Sequence, residues 1–258
     1  MTTDFTDLTE LPGSPATRDQ RARLYHRYHL AGTYAAGKRV LEVACGAGLG
    51  LGYMAQNAKY VVGGDYTENL TRIAQAHYRQ RVPLARLDAH YLPFANRSFD
   101  LIVLYEAIYY LARAEQFIAE SRRLLSSGGV LLICTVNKDW PEFAPSPHST
   151  RYYSAPELQA LFAQQGFAAW EFYGTCPTTV ATTKQHVISL IRKAAISLDL
   201  MPKTLGARAW LKGIFYGRLT PLPAEIVDGM TELYPLAPIS AHVANADYKV
   251  LYAIGHAP

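Results

Sequence analysis

Cysteine is scarce in this sequence. Its three copies, Cys45, Cys134 and Cys176, are widely spaced and form no CxxC or Cys/His pattern. That excludes a disulfide framework and a zinc site of ordinary spacing, and it suits a reducing, cytoplasmic setting. Long apolar runs are lacking too. Stretches such as Val130 to Cys134 fall far short of the roughly 20 residues that a membrane helix needs. No basic-then-apolar pattern opens the chain, since Met1 to Pro15 is polar and carries Asp4, Asp7 and Glu10. Neither sign of charge dominates: 25 Lys and Arg against 21 Asp and Glu leave a net +4, too little to call for nucleic acid. There is no internal repeat and no low-complexity tract. What the chain does have is tyrosine, 18 copies beside nine phenylalanines and three tryptophans. Such an excess of amphipathic rings suits a substrate cleft or the edges of a core. Its 258 residues, half of them apolar, fit one domain carrying a substantial insertion.

After a polar lead-in, a helical pattern runs from Arg18 to about Ala36, with Leu24, Tyr28 and Ala31 at near-helical spacing. Strands and helices then alternate. Lys38–Val43, Tyr60–Gly64, Leu84–Leu87, Phe99–Tyr105 and Val130–Val136 read as strands. Leu49–Ala58, a helix capped by Thr67 with Leu70, Ile73, Ala74 and His77 on one face, and one built on Phe117, Ile118, Ser121, Leu124 and Leu125 separate them, with Gly128-Gly129 expected to end the last. FDLIVLY and VLLICTV are continuous apolar runs of the kind buried on both faces of a parallel sheet. Ser154-Ala-Pro-Glu157 opens a further helix as a capping box. Phe167–Tyr173 then pairs naturally with Tyr248–Gly255, and the segment between them reads as a helical, proline-punctuated insertion. The expected fold is α/β: a Rossmann-like, doubly wound, seven-stranded sheet with an antiparallel last strand. Its expected division is a lead-in and cap helix over 1–36, a core over 37–174, a helical basic insertion over 175–246 and a final strand over 247–258.

The sharpest motif is Val40-Leu-Glu-Val-Ala-Cys-Gly-Ala-Gly-Leu-Gly50, a strand running into a glycine loop, followed by Asp65 at the end of the next strand. Glycines let backbone come close to a ligand, and a carboxylate at that second position can accept from a ribose diol. Either a dinucleotide or S-adenosylmethionine fits this much, and Asp65 also fits a helix cap. Glu42, at the strand tip, suits an ammonium group better than a pyrophosphate. Then follow Leu87-Asp88-Ala89, Leu92-Pro93-Phe94, Ser98-Phe99-Asp100, Glu106-Ala107 and Arg123-Leu-Leu-Ser-Ser-Gly-Gly129. In this order the motifs resemble the class I S-adenosylmethionine-dependent methyltransferases, in particular the group like those of ubiquinone and menaquinone biosynthesis, densely from Lys38 to Val136.

The resemblance implies S-adenosylmethionine as cofactor, no metal, and roles by position. Glu42, Gly46 and Gly48 would line its methionine end, with Ala44 in the same loop. Asp65 would hold the ribose, Tyr66 would pack on the adenine, Asp88 and the Ala89 backbone would read the adenine edge, and Tyr105 would sit beside the methionine amino group. Ala44 stands where the family has its first glycine, which costs little provided φ stays negative.

For the acceptor, the expected residues are Tyr25, His26, Tyr28 and His29 on the first helix, together with Tyr109, Tyr110 and Trp140. His148 is the expected base, on a proline-rich loop at the carboxyl edge of the sheet. YHRYH offers no third ligand for a metal. Between Lys184 and Arg218 the chain carries a net +6 against −2 elsewhere, a cap that suits a phosphate-bearing or membrane-associated acceptor. The expected activity is methyl transfer to a hydroxyl of a small molecule such as a sugar, glycolipid precursor or secondary metabolite. An RNA methyltransferase using the basic insertion is the alternative, and a non-catalytic cofactor-binding protein a third. Nucleic acid is disfavoured by the lack of an appended RNA-binding module, and the oligomeric state is not legible.

Overall fold

A computed structural model describes residues 4–178 and 219–258. The call for a basic cap rests on Lys184–Arg218, which lies outside the described residues. The chain folds as β1 (Pro15–Ala16), α1 (Arg18–Ala35), β2 (Arg39–Val43), α2 (Leu51–Ala55), β3 (Tyr60–Asp65), α3 (Glu68–Tyr78), β4 (Leu84–Arg86) and β5 (Phe99–Tyr105). It continues with α4 (Ala114–Leu124), β6 (Leu125–Val136), α5 (Ala155–Gln164), β7 (Ala169–Pro177), β8 (Thr220–Pro221), β9 (Ala237–Pro238) and β10 (Tyr248–His256).

One sheet runs in the order β4-β3-β2-β5-β6-β10-β7-β9. Its first five strands are parallel, and β10 lies antiparallel between β6 and β7. Eight strands replace the expected seven because β9, two residues long, adds to the outer edge of β7. The terminal hairpin expected from Phe167–Tyr173 and Tyr248–Gly255 is present, Tyr252 facing Tyr173. Of the stretch expected to be a helical insertion, residues 219–246 run as loop with β8 and β9 and hold no helix.

The apolar run of β5 supplies both cores because side chains alternate across a strand. Ile102 and Leu104 face the core built with α4 and α5, where Phe117, Ile118, Leu158 and Phe162 are buried. Leu101, Val103 and Tyr105 face the other, built with α1 and α2 through Leu24, Tyr28, Ala31 and Met54. Two helices have a full capping box, Thr17 with Gln20 on α1 and Ser154 with Glu157 on α5.

Three local expectations change. The helix α4 stops at Leu124, and Leu125 already begins β6 opposite Phe99; the pairing outweighs the helical period, and Gly128 with Gly129 fall inside the strand. The helix α2 spans only Leu51–Ala55. On α3 the buried face is Leu70, Thr71, Ala74 and Tyr78, while His77 turns outward to Glu225 Oε1 at 2.6 Å.

Candidate active site

The carboxyl ends of β2, β3 and β5 open into a cavity of about 890 Å³. Open α/β sheets bind ligands at this edge, where strand order reverses. Here the reversal lies between β2 and β5. Segments 5–10, α1 and the loop after β6 complete the walls.

The loop after β2 is built on two left-handed residues, Ala44 at φ +58° and Gly46 at φ +57°. A Cβ on Gly46 would meet Thr9 Cγ2 at 2.8 Å, so this glycine is required by conformation and by the segment above it. Asp65 secures the loop. Its Oδ2 accepts from Gly46 N and its Oδ1 from Thr67 N, both at 2.8 Å. Burial pushes the Asp65 carboxyl up, and the Thr67 and Gly46 amides oppose the shift. The negative φ expected at Ala44 is not what the chain adopts. An alanine in the left-handed region costs about 1 kcal/mol, held here by the Asp65 bonds around it. Ala44→Gly is therefore expected to raise the unfolding free energy by up to about 0.5 kcal/mol, after the entropy of a glycine in the unfolded chain is subtracted. Urea midpoints check this, and a lower midpoint for the glycine variant contradicts it.

Glu42 stands behind the wall rather than in it. It is 1% exposed, Tyr28 donates its hydroxyl to Oε1 at 2.6 Å, and Oε2 has no partner. Burial pushes its carboxyl up to about 8, against the Tyr28 bond and the charge of Arg27. Tyr28 itself reaches the cavity. Gly48, at φ +80°, sits against Tyr78, Leu51 and Ala74 and is a packing glycine outside the cavity wall.

At the far end Tyr66, 38% exposed, lies with the Arg86 guanidinium 5.8 Å over its ring. Asp88 Oδ1 accepts from the backbone N and the ring Nδ1 of His90 at 2.9 and 2.6 Å. Asp88, Ala89 and Tyr66 all line the cavity. Tyr105 lines it too, donating its hydroxyl to the Arg27 carbonyl at 2.7 Å.

The other half of the cavity is aromatic. Phe5 meets Tyr110 at 5.1 Å, Tyr110 meets Tyr109 at 4.6 Å, and Tyr109 stacks on Tyr152 at 4.9 Å and 27°. Phe143 closes the row against Tyr152 at 4.6 Å, and Trp140 lies on the same wall. The remaining acceptor residues lie elsewhere. Tyr25 and Tyr53 both donate to Asp228 Oδ1, at 2.7 and 3.0 Å, and His29 Nδ1 lies 3.3 Å from the Tyr53 hydroxyl. His26 is buried against the Tyr252 hydroxyl at 2.8 Å. His148 is exposed and off the cavity wall; its loop instead presents Trp140, Glu142, Phe143, Ala144 and Ser146.

Among the cavity residues that were not expected are Glu10, Arg27 and Glu106. Arg27 bonds Glu10 Oε2 at 2.5 Å and lies 3.8 Å from Glu106 Oε1. Tyr109 donates to Glu106 Oε2 at 3.1 Å. The one sequence signal for Glu106 is an acid directly after a buried strand.

Residues 41–133 match the family described as "Methyltransferase domain". This part of the chain is similar to methyltransferase domains. The chain is similar to a probable S-adenosylmethionine-dependent methyltransferase of Mycolicibacterium smegmatis, 34% identical over 59% of this chain and 58% of that protein. It is 30% identical to a ubiquinone biosynthesis O-methyltransferase of Mesorhizobium japonicum over 47% of this chain and 50% of that one. It thus spans little more than half the length of either relative. A solved structure from Thermotoga maritima, titled a SAM-dependent methyltransferase and possible histamine N-methyltransferase, superposes with a TM-score of 0.57 at 17% identity, over 93% of this chain and 95% of that one. The fold of residues 41–133 and their surroundings is therefore the Rossmann-like fold of S-adenosylmethionine-dependent methyltransferases. Among the described residues no group of three or more His, Cys, Asp or Glu is placed to hold a metal ion, and no helix is long and apolar enough to cross a membrane.

Proposed function

We propose that the chain transfers a methyl group from S-adenosylmethionine to a ring hydroxyl of a small-molecule acceptor. The single observation that carries this is a cavity with two chemically different halves. One half is built from the glycine loop, Asp65, Tyr66 and Asp88; the other is a row of aromatic rings whose Tyr109 bonds the Glu106 carboxylate.

The residues present fit the cofactor. Its ribose diol suits the buried Asp65 carboxylate, whose oxygens each keep a lone pair beyond the bond drawn to backbone. Its adenine suits the exposed Tyr66 ring and the Asp88 carboxylate. Its amino group suits Glu42, buried behind Tyr28 with one oxygen unpartnered, because a neighbouring ammonium favours ionisation of a carboxyl raised to about 8. When bound, the sulfonium supplies an electrophilic methyl carbon. The chain's own residues then bind, orient and exclude water, which supplies about 7–11 kcal/mol when two reactants are held in line.

A hydroxyl acceptor is favoured over an RNA base by the enclosed row from Phe5 to Phe143, which stacks one flat ring or sugar face. The name of the Mesorhizobium relative points the same way. The charged side chains of the wall are mainly acids, Glu10, Asp65, Asp88, Glu106 and Glu142 against Arg23 and Arg27, which repels a phosphate backbone.

Isothermal titration of the full chain with S-adenosylhomocysteine, followed by transfer of a labelled methyl group to catechol and to methyl glucoside, tests the reading. Binding with transfer to either hydroxyl supports it. Absence of S-adenosylhomocysteine binding removes it, and transfer to bulk RNA but to neither small molecule replaces it with the RNA reading.

A further inference from the structure

We propose that Glu106 takes the proton from the acceptor hydroxyl, with Tyr109 and Arg27 holding its carboxylate in place. This rests on the methyl-transfer reading above and names the base within it.

Glu106 is the first residue past the end of β5 and has φ +51°, a conformation that glutamate adopts only at a cost of about 1–3 kcal/mol. It is fixed there by its own N–H, which donates to the Cys134 carbonyl of β6 at 2.8 Å. The strand end is thus turned so that an acid lines the cavity between Tyr105 and Ala107.

The charged and titratable groups facing this carboxyl come from every element packed on it. Arg27 and Arg23 belong to α1, Glu10 to the N-terminal segment, Tyr109 to the turn that follows and Cys134 to β6. Burial pushes the Glu106 carboxyl up, Arg27 and Arg23 pull it down, the Tyr109 bond pulls the same way, and Glu10 adds to the rise. The result is a carboxyl more basic than one in water, with the two arginines opposing the rise. Its Oε2 receives the Tyr109 hydroxyl and its Oε1 faces Arg27. Because the side chain keeps 26% exposure, room remains for a substrate hydroxyl.

The other candidates are engaged or misplaced. Burial pushes the Tyr109 phenol well up, and the neighbouring Glu106 charge adds to it, so Tyr109 stays a donor. His90 is held by Asp88 at the opposite half of the cavity. His148 does not line it.

The chemistry balances. The acceptor O–H bond breaks and its proton passes to Glu106. The oxygen forms a bond to the methyl carbon, and the carbon–sulfur bond breaks with its electron pair staying on sulfur. Glu106 then returns the proton to solvent. A carboxylate is a weak base, so the hydroxyl must be acidic. A phenol with a pKa of about 10 is within reach, whereas an alkyl hydroxyl near the ~15.7 of water is weaker by five to six further powers of ten.

The test is kcat/KM of the full chain with labelled S-adenosylmethionine at pH 8, using catechol, whose hydroxyls are protonated, and 4-nitrophenol, which is largely ionised. Glu106→Gln is expected to lose at least about 100-fold on catechol, as removal of a general base does, and under about tenfold on 4-nitrophenol. Its S-adenosylhomocysteine affinity should stay within about threefold of wild type, and Glu106→Asp should recover part of the catechol rate. Equal losses on both phenols would mark Glu106 as merely structural and overturn the assignment. So would an unchanged catechol rate, or a wild-type chain that binds S-adenosylhomocysteine yet methylates neither phenol. A wild-type chain that fails to bind S-adenosylhomocysteine is a different failure: it removes the methyl-transfer reading itself, and the base with it.

Discussion

Asp65→Ala is expected to weaken S-adenosylhomocysteine binding about 1000-fold. The carboxylate accepts from Gly46 N and Thr67 N at 2.8 Å, and hydrogen bonds to a charged group are worth about 1.5–3 kcal/mol each. Alanine leaves both amides unpaired and releases a loop whose residues 44 and 46 sit in the left-handed region. It also removes the acceptor for the ribose diol. Losing two such bonds to the ligand or the loop that holds it amounts to about 3–6 kcal/mol, or two to four powers of ten in affinity. Asp65→Asn keeps one accepting oxygen and should fall between. Titration calorimetry reads the effect, with circular dichroism to show that the sheet persists. An alanine variant within threefold of wild type would remove Asp65 from the cofactor site.

The second large effect is a gain. Glu42→Gln should stabilise the ligand-free chain at pH 8.5 by about 3–4 kcal/mol. The carboxyl of Glu42 is raised from 4.5 to about 8 by burial. A raised acid binds its proton more tightly in the folded state, so its cost is nil below pH 4.5, grows as pH rises and levels off above 8. At about 1.4 kcal/mol per pH unit the whole shift approaches 5 kcal/mol, and glutamine gives back part through its amide, which lacks a partner. Tyr28 can still donate to the remaining oxygen. Urea midpoints of wild type should therefore fall between pH 5 and 8.5, and those of the variant should fall less. The same variant should bind S-adenosylhomocysteine at least tenfold more weakly, since the charge that suits its amino group is gone. A variant neither more stable nor weaker in binding would sink the idea that this acid is kept for a ligand.

Much of the fold could be read in advance where composition is one-sided. Phe99–Tyr105 announced a strand buried on both faces, and Ser154 with Glu157 announced the start of a helix. The boundary between α4 and β6 could not be read, because Leu124 and Leu125 continue the helical period and only the pairing with Phe99 ends it. The site divides in the same way. Ala44, Gly46, Asp65, Tyr66, Asp88, Ala89 and Tyr105 were expected at one place and do meet there, because short motifs on successive strand ends are brought together by a parallel sheet. The acceptor half was harder. The helix α1 is buried on several sides, so periodicity could not say that Tyr28 faces the cavity while Tyr25 faces Asp228 and His26 faces Tyr252. Arg27 and Glu106 escaped notice because nothing in the local sequence gives a backbone angle or an ion pair across 79 residues of chain.

One feature of the sheet bears on how the protein behaves in bulk rather than on its chemistry. Its outer strands are β4, three residues long, and β9, two residues long. Pro83 precedes the first and Pro238 ends the second. A sheet grows into fibrils by offering unpaired amides along an edge, and short edges flanked by proline offer few. Among the described residues, then, the β4 rim of this broad sheet is blunt, and at the other rim β9 covers β7 at Tyr173 and Gly174. The twelve-residue β6 and nine-residue β10, apolar enough to seed a fibril, are kept at its centre. Concentrated solutions of the folded chain should accordingly resist strand-to-strand polymerisation until the interior itself opens.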